Sequence, residues 1–390
     1  MSEFFFEKEP VRTGTGNLKG LLRAELEEKG IQDPVILFGA EMDYPTAPCI
    51  SKTLENFARE GLYGFTLPDK PYLEAVCQWM NHIRGVAIQP EWILPVQGTT
   101  FALSTCIRAL TSPEDKILLL SPSYYRFDRA VVRNERKVLY HSLVLKDDHY
   151  EIGWEDLETK LSDPACRMMV LVNPHNPTGK VFSSDELHKI SLLCRQHRVT
   201  VFSDEIFAET VQEGFSAAAF ASIDPESITC TSLGKAFNYT GVNQANLIIP
   251  DEDLRAEILR QRDIDHFGSI DPFFYQALLS AYTPEGAEWL KQMNAHTAGN
   301  VRTVRMFLNQ YMLKIRLLPV EGTFVGWLDC RALNMTDAQL QQFFENTGIF
   351  ADPGIEYGQD GSGFYRWNLA TSHTNIQKAL SRLKEAYDKL

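Results

Sequence analysis

Three polar residues follow three apolar runs at a nearly constant interval, and this spacing limits the folds open to the chain. The polar residues are Asn176, Asp204 and Lys235, and the apolar runs are 167–172, 199–202 and 227–231. Each interval is about 30 residues, the length of one strand–helix–strand unit. Such units are right-handed and bring the carboxyl ends of parallel strands to one edge of the sheet, where ligands bind. The sequence therefore predicts an α/β fold in which an amide, a carboxylate and a lysine share one cleft.

The chemistry of these three groups suits a particular cofactor. Desolvation lowers the pKa of an ammonium group, and an unprotonated Lys235 could attack a carbonyl carbon. A buried carboxylate at Asp204 is costly without a cationic partner. Pyridoxal 5′-phosphate would satisfy all three groups, because Lys235 would bind its aldehyde, Asp204 would keep its ring nitrogen protonated and Asn176 would bind its ring oxygen. The alternatives are a surface lysine in a loop and a helix N-cap at Asp204.

Four motifs extend this interpretation along the chain. They are Asn-Pro-His-Asn-Pro-Thr-Gly at 173–179, Ser-Asp-Glu-Ile at 203–206, Ser-Leu-Gly-Lys at 232–235 and Phe-Tyr-Arg-Trp-Asn-Leu at 364–369. In order and spacing they resemble fold type I pyridoxal-phosphate enzymes of the aminotransferase class I/II superfamily, over nearly the whole chain. The resemblance implies a large domain with a mostly parallel seven-stranded sheet and a smaller α+β C-terminal domain. The expected division is an N-terminal segment at 1–45 that packs with the small domain, a large cofactor-binding domain at 46–281 and a small domain at 282–390.

A stretch near the N-terminus resembles one branch of that superfamily. Residues 40–48, Ala-Glu-Met-Asp-Tyr-Pro-Thr-Ala-Pro, are similar to the Ala-x-Met-Asp-Phe segment of the cystathionine β-lyase-like enzymes. In that branch the segment lies across the substrate mouth. Gly39 and two prolines break up the short apolar run here, which indicates a close approach of the backbone to a ligand and makes Gly39 a candidate substrate contact. Composition alone supports a domain-crossing loop equally well. The branch also carries Phe-Gly-Tyr where this chain has Tyr63-Gly64-Phe65, so Tyr63 is the candidate for contact with the cofactor of a neighbouring subunit.

The phosphate of the cofactor has candidate ligands in two places. A helix that begins at Gly98, Thr99 and Thr100 would expose free backbone N–H groups at its positive end, which is a ready phosphate site. Simple capping by threonine is the alternative. The resemblance assigns this helix start to the phosphate and adds the hydroxyl of Ser232, because Asn243 stands where many aminotransferases have a phosphate-binding arginine.

Aromatic residues are expected on the faces of the cofactor ring. Tyr124 follows the predicted strand 116–120 and could lie flat on the ring, although aromatic residues at such positions are more often part of the core. The family pattern Pro-x-Tyr selects Tyr124 over Tyr125. Phe207 stands where many aminotransferases have a tyrosine whose hydroxyl touches the ring oxygen.

Arg366 is the candidate for substrate binding. An arginine inside the apolar strand 364–369 would be buried without a partner unless an anion came to it, and a guanidinium binds a carboxylate through two parallel hydrogen bonds. A structural ion pair is the alternative. In the family this arginine holds the α-carboxylate of the substrate, with Asn176 beside it, which implies an α-amino acid.

Bulk properties exclude several classes of partner. A net charge of −13 argues against nucleic acid or an anionic membrane. The seven cysteines lack metal-ligand or disulfide spacing, so no metal site is expected. With no long apolar span in the sequence, a cytoplasmic enzyme is the simplest interpretation.

The sequence predicts a pyridoxal-phosphate enzyme that acts on an α-amino acid. The preferred reaction is β-elimination from cystathionine or another cysteine S-conjugate, giving thiol, pyruvate and ammonia. This preference rests on resemblance at 40–48, 65–73 and His175. An aminotransferase is the alternative and would use the same residues. A regulatory protein on this fold is disfavoured, because no basic helix-turn-helix segment precedes residue 40. By resemblance the enzyme is expected to be a homodimer.

Overall fold

The computed structural model describes residues 4–8, 10, 12 and 14–390. The remaining positions of the predicted N-terminal segment lie outside the described residues. Among the residues that are described, no helix is both long enough and apolar enough to cross a membrane.

Helices and strands alternate through most of the chain. The α-helices are α1 (Leu18–Glu28), α2 (Pro48–Glu60), α3 (Lys70–His82), α4 (Gly98–Leu110), α5 (Tyr125–Arg133), α6 (Trp154–Leu161), α7 (Ser184–His197), α8 (Leu233–Ala236), α9 (Glu252–Ile264), α10 (Pro272–Ala281), α11 (Pro284–Tyr311), α12 (Asp337–Asn346) and α13 (His373–Tyr387). The strands are β1 (Val35–Ile36), β2 (Ile93–Val96), β3 (Lys116–Ser121), β4 (Lys137–Ser142), β5 (Val144–Lys146), β6 (His149–Glu151), β7 (Cys166–Val172), β8 (Thr200–Asp204), β9 (Ile228–Thr231), β10 (Ala245–Ile248), β11 (Arg316–Leu317), β12 (Val325–Asp329), β13 (Ile349–Phe350), β14 (Asp352–Pro353) and β15 (Phe364–Asn368).

A seven-stranded sheet forms the centre of the molecule. Its strand order is β2-β10-β9-β8-β7-β3-β4, and β10 alone among these strands runs antiparallel to its neighbours. Strands such as β7 are apolar along almost their whole length, as is typical of strands covered by helices on both faces. The carboxyl ends of β2, β3, β7, β8 and β9 therefore meet at one edge. The predicted large, mostly parallel seven-stranded sheet is confirmed.

Local sequence signals explain where the helices begin. Ser183 caps α7 and forms a capping box with Glu186, because each side chain accepts from the other residue's backbone N–H. Asp271 and Thr283 cap α10 and α11 through their own side chains, without a reciprocal bond. A proline follows each cap in the first turn of its helix. These caps set where α7, α10 and α11 begin.

A second, antiparallel sheet lies in the C-terminal part of the chain. Its order is β11-β12-β15-β14, and its core is shared with apolar residues of α11, α12 and α13. The predicted smaller α+β unit is thus present. The two main sheets take their strands from 93–248 and 316–368, and the division at residues 45 and 281 stays a prediction.

The N-terminal segment contacts the C-terminal part of the chain. Strand β1 pairs in parallel with β13, and the carboxylate of Glu7 accepts hydrogen bonds from the backbone N–H of His373 at 3.0 Å. Arg12 binds Glu41 and the backbone oxygen of Met42. Ala40 and Met42 lie at the edge where β9 ends, because Lys235 and Asn238, which follow this strand, bind their backbone groups.

Candidate active site

One cavity of about 560 Å³ opens at the carboxyl edge of the large sheet. This volume lies in the range of small-molecule sites. All predicted site residues except Tyr63 line it: Gly39, Gly98, Thr99, Thr100, Tyr124, Asn176, Asp204, Ser232, Lys235 and Arg366. Residues from seven separate segments of the chain therefore meet there.

Lys235 lies in the short helix α8, directly after β9. Its Nζ donates to the backbone oxygen of Ala40 at 2.7 Å and lies 5.6 Å from the centre of the Phe207 ring. Burial lowers the pKa of Lys235 to about 8, and the positive charge of Arg366 acts in the same direction. A buried amine with this pKa is partly unprotonated near neutral pH and can act as a nucleophile or a base.

Asp204 is the last residue of β8 and is only 2% exposed. Its Oδ1 accepts from the backbone N–H of Ile206 at 3.3 Å, and no cation lies within ion-pair distance among the described residues. Burial raises the pKa of Asp204 to about 7. A carboxyl group in this state would be stabilised by a cation placed in the cavity, which is what the protonated ring nitrogen of pyridoxal phosphate offers.

The expectation that Arg366 would be buried without a protein partner is wrong. Its Nε and one terminal nitrogen donate to the same oxygen of Asp352, at 3.1 and 2.7 Å, and both side chains are buried. Asp352 stands opposite Arg366 in the β14–β15 register. Although burial lowers the pKa of Arg366, the charge of Asp352 raises it above its usual range. The arginine therefore stays charged without a ligand.

Arg366 nevertheless keeps hydrogen-bonding capacity toward the cavity. Its other terminal nitrogen donates to Oδ1 of Asn176 at 2.8 Å. A guanidinium has five N–H groups, so one remains on each terminal nitrogen after these three bonds. Two parallel N–H groups match the two oxygens of a carboxylate.

The amino end of α4 has the properties of an anion site. Gly98 has φ +67°, and the N-cap residue Gln97 makes no side-chain capping bond, so no side chain caps the first-turn N–H groups. Ser232 lies nearby, but its hydroxyl donates to the backbone oxygen of Gln244 at 2.7 Å and accepts from Gly234. A phosphate role for Ser232 would thus require its proton to turn from Gln244.

Tyr124 and Phe207, the two aromatic residues expected beside the cofactor ring, line the cavity from separate segments of the chain. Tyr124 follows β3 and packs edge-on against Phe127, at 5.6 Å between ring centres. Phe207 packs against Phe324 and is buried. Because it is a phenylalanine, it offers no hydroxyl to a ligand.

Tyr63 is not part of this cavity in the single chain. It is 52% exposed, and its hydroxyl donates to the backbone oxygen of Ala58. Its ring contacts Phe57 and Phe273 on the surface. Its role toward a neighbouring subunit stays a prediction.

Asp352 and Arg126 are cavity residues that sequence reasoning did not select. Asp352 stands before Pro353 and Gly354, a pattern typical of a turn, yet it binds Arg366 and accepts from the backbone N–H of Gly39 at 3.0 Å. Arg126, two residues after Tyr124, also lines the cavity. The pattern Pro-x-Tyr-x-Arg was visible in the sequence, whereas the pairing of β14 with β15 was not.

A second polar cluster lies outside the cavity. Glu7, His296 and His373 place possible metal-ligating atoms within 4.8 Å of one another. Protein groups already bind them, because His296 Nε2 contacts the backbone oxygen of Thr371 and His373 Nδ1 contacts Asn300 Oδ1. The expectation that the protein needs no metal stays a prediction.

The fold and the cavity define an α/β enzyme class with a buried lysine, a carboxylate and an arginine at one sheet edge. This donor set and the uncapped helix end fit pyridoxal 5′-phosphate. Residues 40–383 match the model of the family described as aminotransferase class I and II. The chain belongs to this family, and the resemblance drawn from its motifs is confirmed.

Several known proteins are similar to this chain over most or all of its length. The chain is 34% identical to cystathionine beta-lyase PatB of Bacillus subtilis (strain 168) over 386 residues, which cover 98% of this chain and 99% of that protein. It is 28% identical to protein MalY of Escherichia coli (strain K12), covering 89% and 90% of the two chains. The crystal structure of cystalysin from Treponema denticola, which contains a pyridoxal 5′-phosphate cofactor, superposes with a TM-score of 0.95 at 30% identity and covers 100% of both chains.

Proposed function

We propose that this protein is a pyridoxal-phosphate-dependent carbon–sulfur β-lyase acting on an L-amino acid such as cystathionine or another cysteine S-conjugate. The observation that carries the proposal is the buried Lys235 in one cavity with Asp204 and Arg366. The relative named cystathionine beta-lyase supports the choice of reaction.

The proposed roles follow from the geometry of the cavity. Arg366 binds the α-carboxylate with its two remaining N–H groups, and Asn176 holds Arg366 in place. The N–H groups of Gly98, Thr99 and Thr100 bind phosphate, and Tyr124 lies against the ring. When bound, pyridoxal phosphate supplies an electron sink for the carbon that loses its proton. Asp204 maintains that sink by its negative charge.

Proton transfer is assigned to Lys235. Its Nζ removes the α-proton of the substrate, for which a pKa of about 8 is well placed. The Cβ–S bond then breaks, and the electron pair leaves with sulfur, which takes up a proton as the thiol. The three-carbon remainder takes up water and yields pyruvate and ammonia. The aminotransferase alternative uses the same lysine, and the family description supports it.

A pyruvate assay without any 2-oxo acid tests the proposal. Cofactor-loaded protein is mixed with L-cystathionine, and pyruvate and thiol are measured together. Lyase activity gives both products in equal amounts over many turnovers, and Lys235→Ala lowers the rate by at least ~10³-fold, since it removes the proton-transfer group. Absence of pyruvate, with a cofactor converted to its amine form and restored by a 2-oxo acid, would instead establish an aminotransferase.

We further infer a homodimer located in the cytoplasm. Leu62, Tyr63, Phe65 and Leu67 form an exposed apolar loop that a second copy could cover. Tyr63 would then approach the neighbouring site. All seven cysteines are free thiols, as expected of a reducing compartment.

A further inference from the structure

Arg126 is a cation of the cavity wall that the proposed chemistry does not use. It lies in the first turn of α5, two residues after Tyr124, and its side chain lines the cavity. The backbone of this turn is anchored, because Ser123 donates its N–H to the backbone oxygen of Tyr357 at 2.8 Å. Phe127 is buried directly after it.

Arg126 differs from the other cations of the cavity in its partners. Arg366 binds Asp352, Lys19 binds Asp43 and Lys235 donates to a backbone oxygen. Among the described residues no carboxylate lies within ion-pair distance of Arg126. The phenols of Tyr124 and Tyr125 are the groups that raise its pKa.

The strand that precedes Arg126 lies away from the strands that flank the phosphate site. The start of α4 lies beside β9 and β10, because Thr99 contacts Cys230 and a side chain at Gly98 would meet Asn243. Arg126 follows β3, and the backbone of this strand is three places from β9 in the sheet, or about 14 Å at the usual strand spacing.

The same anchored turn connects Arg126 to the part of the cavity that holds Arg366. Tyr357, which holds Ser123, lies under the guanidinium of Arg366 at 5.0 Å. Arg126, Arg366 and Tyr124 line the same cavity, and both positive charges lower the pKa of Tyr124, which burial raises. The cavity thus presents a second guanidinium beyond the one assigned to the α-carboxylate.

We propose that Arg126 binds a second anionic group of the substrate, a carboxylate carried by the leaving thiol. This inference rests on the proposed lyase function and narrows its substrate class to sulfur amino acids with a distal carboxylate. L-Cystathionine has such a group, whereas simple S-alkyl cysteines do not. Arg126 contacts the substrate away from the bond that breaks, so it acts on specificity.

A matched pair of substrates tests the inference. S-(2-carboxyethyl)-L-cysteine and its neutral amide, S-(2-carbamoylethyl)-L-cysteine, differ in charge and hardly in shape. Wild-type enzyme is expected to prefer the carboxylate by about tenfold in kcat/KM, as for one charge-assisted contact at a partly exposed site. Arg126→Gln brings the ratio close to one through KM, and Arg126→Lys restores part of it.

A neighbouring arginine provides the control variant. Arg129 lies one turn further along α5, over the Tyr125 ring and outside the cavity lining, so Arg129→Gln keeps the wild-type ratio. An unchanged ratio in Arg126→Gln would overturn the inference. Loss of cofactor retention in that variant, with the ratio intact, would also overturn it and assign Arg126 to the phosphate.

A binding measurement keeps the inference separate from the lyase activity. Cofactor-loaded protein is titrated with dicarboxylates from succinate to adipate and with matched monocarboxylates, following the cofactor absorbance. Arg126→Gln is expected to lose the preference for the dicarboxylate that fits best, and an equal preference in both proteins contradicts the inference. If wild type releases no pyruvate from either conjugate, the lyase proposal fails, and this titration alone decides the role of Arg126.

Discussion

The buried carboxyl group of Asp204 destabilises the folded protein at neutral pH unless a ligand supplies a positive charge. Its pKa of about 7 in the protein lies above the unfolded value of 3.8, because burial disfavours the charged form. The protonated carboxyl group costs the folded state nothing, so the stability it allows is fully present below pH 3.8. The free energy of unfolding then falls as the pH rises from 3.8 through 7, where the buried group becomes charged. A bound cation would remove this penalty.

We expect Asp204→Asn to stabilise the cofactor-free protein in a pH-dependent way. The gain over wild type should increase between pH 4 and pH 7, to roughly 4 kcal/mol at most, and stay level above pH 7. Thermal or urea unfolding of the stripped proteins across this range measures it. The same variant should lose ~10²-fold or more in pyruvate release, since an electrostatic stabiliser is gone. A pH-independent difference in stability would contradict the argument.

We expect Asp352 to hold both Arg366 and the backbone at Gly39 in place. One of its oxygens accepts from both Arg366 and the N–H of Gly39. Asp352→Asn should raise KM for the amino acid about tenfold or more and cost about 3 kcal/mol of unfolding free energy, because a buried charge loses its partner.

Asp329 supplies the control for this experiment. It is a buried carboxylate bound by Arg316 and Arg331 in the small sheet, outside the cavity lining. Asp329→Asn should also lower stability but leave KM unchanged. Equal KM changes in the two variants would show that Asp352 acts through stability alone.

The sequence predicted different parts of the site unequally well. Asn176, Asp204 and Lys235 could be brought together because parallel strand ends meet at one edge whatever the details of packing. The partner of Arg366 could not be found, since β14 has two residues and its pairing with β15 depends on tertiary structure. Arg126 could be located in the sequence, but its lack of a carboxylate partner could not.

At the scale of elements, the start of α4 has an unusual backbone conformation at the predicted phosphate site. Gly98 has φ +67°, a region that costs other residues about 1–2 kcal/mol. A Cβ atom there would also come into van der Waals contact with Asn243, at 3.4 Å, next to the predicted phosphate position. Both effects come from the turn between β2 and α4.

Gly98→Ala should therefore weaken cofactor binding as well as stability. Gly214→Ala is the matched control, because Gly214 also has positive φ (+90°) but has open space around it and lies outside the cavity lining. Both variants should lose about 1–2 kcal/mol of unfolding free energy. In a titration with pyridoxal phosphate, a higher dissociation constant is expected for Gly98→Ala alone. Equal affinities in the two variants would exclude α4 as the phosphate site.

At the scale of the whole molecule, the exposed apolar loop at 62–67 bears on the proposed dimer. Phe65 is fully exposed, and Leu62 and Leu67 are largely so, which is unfavourable in water unless another surface covers them. Phe65→Asp should shift the protein from dimer toward monomer in light scattering at micromolar concentration, because it places a charge in the covered patch. Leu313→Asp, a similarly exposed position elsewhere, should leave the mass unchanged. If Phe65→Asp stays dimeric, the loop lies outside the interface and Tyr63 has no route to a neighbouring cavity.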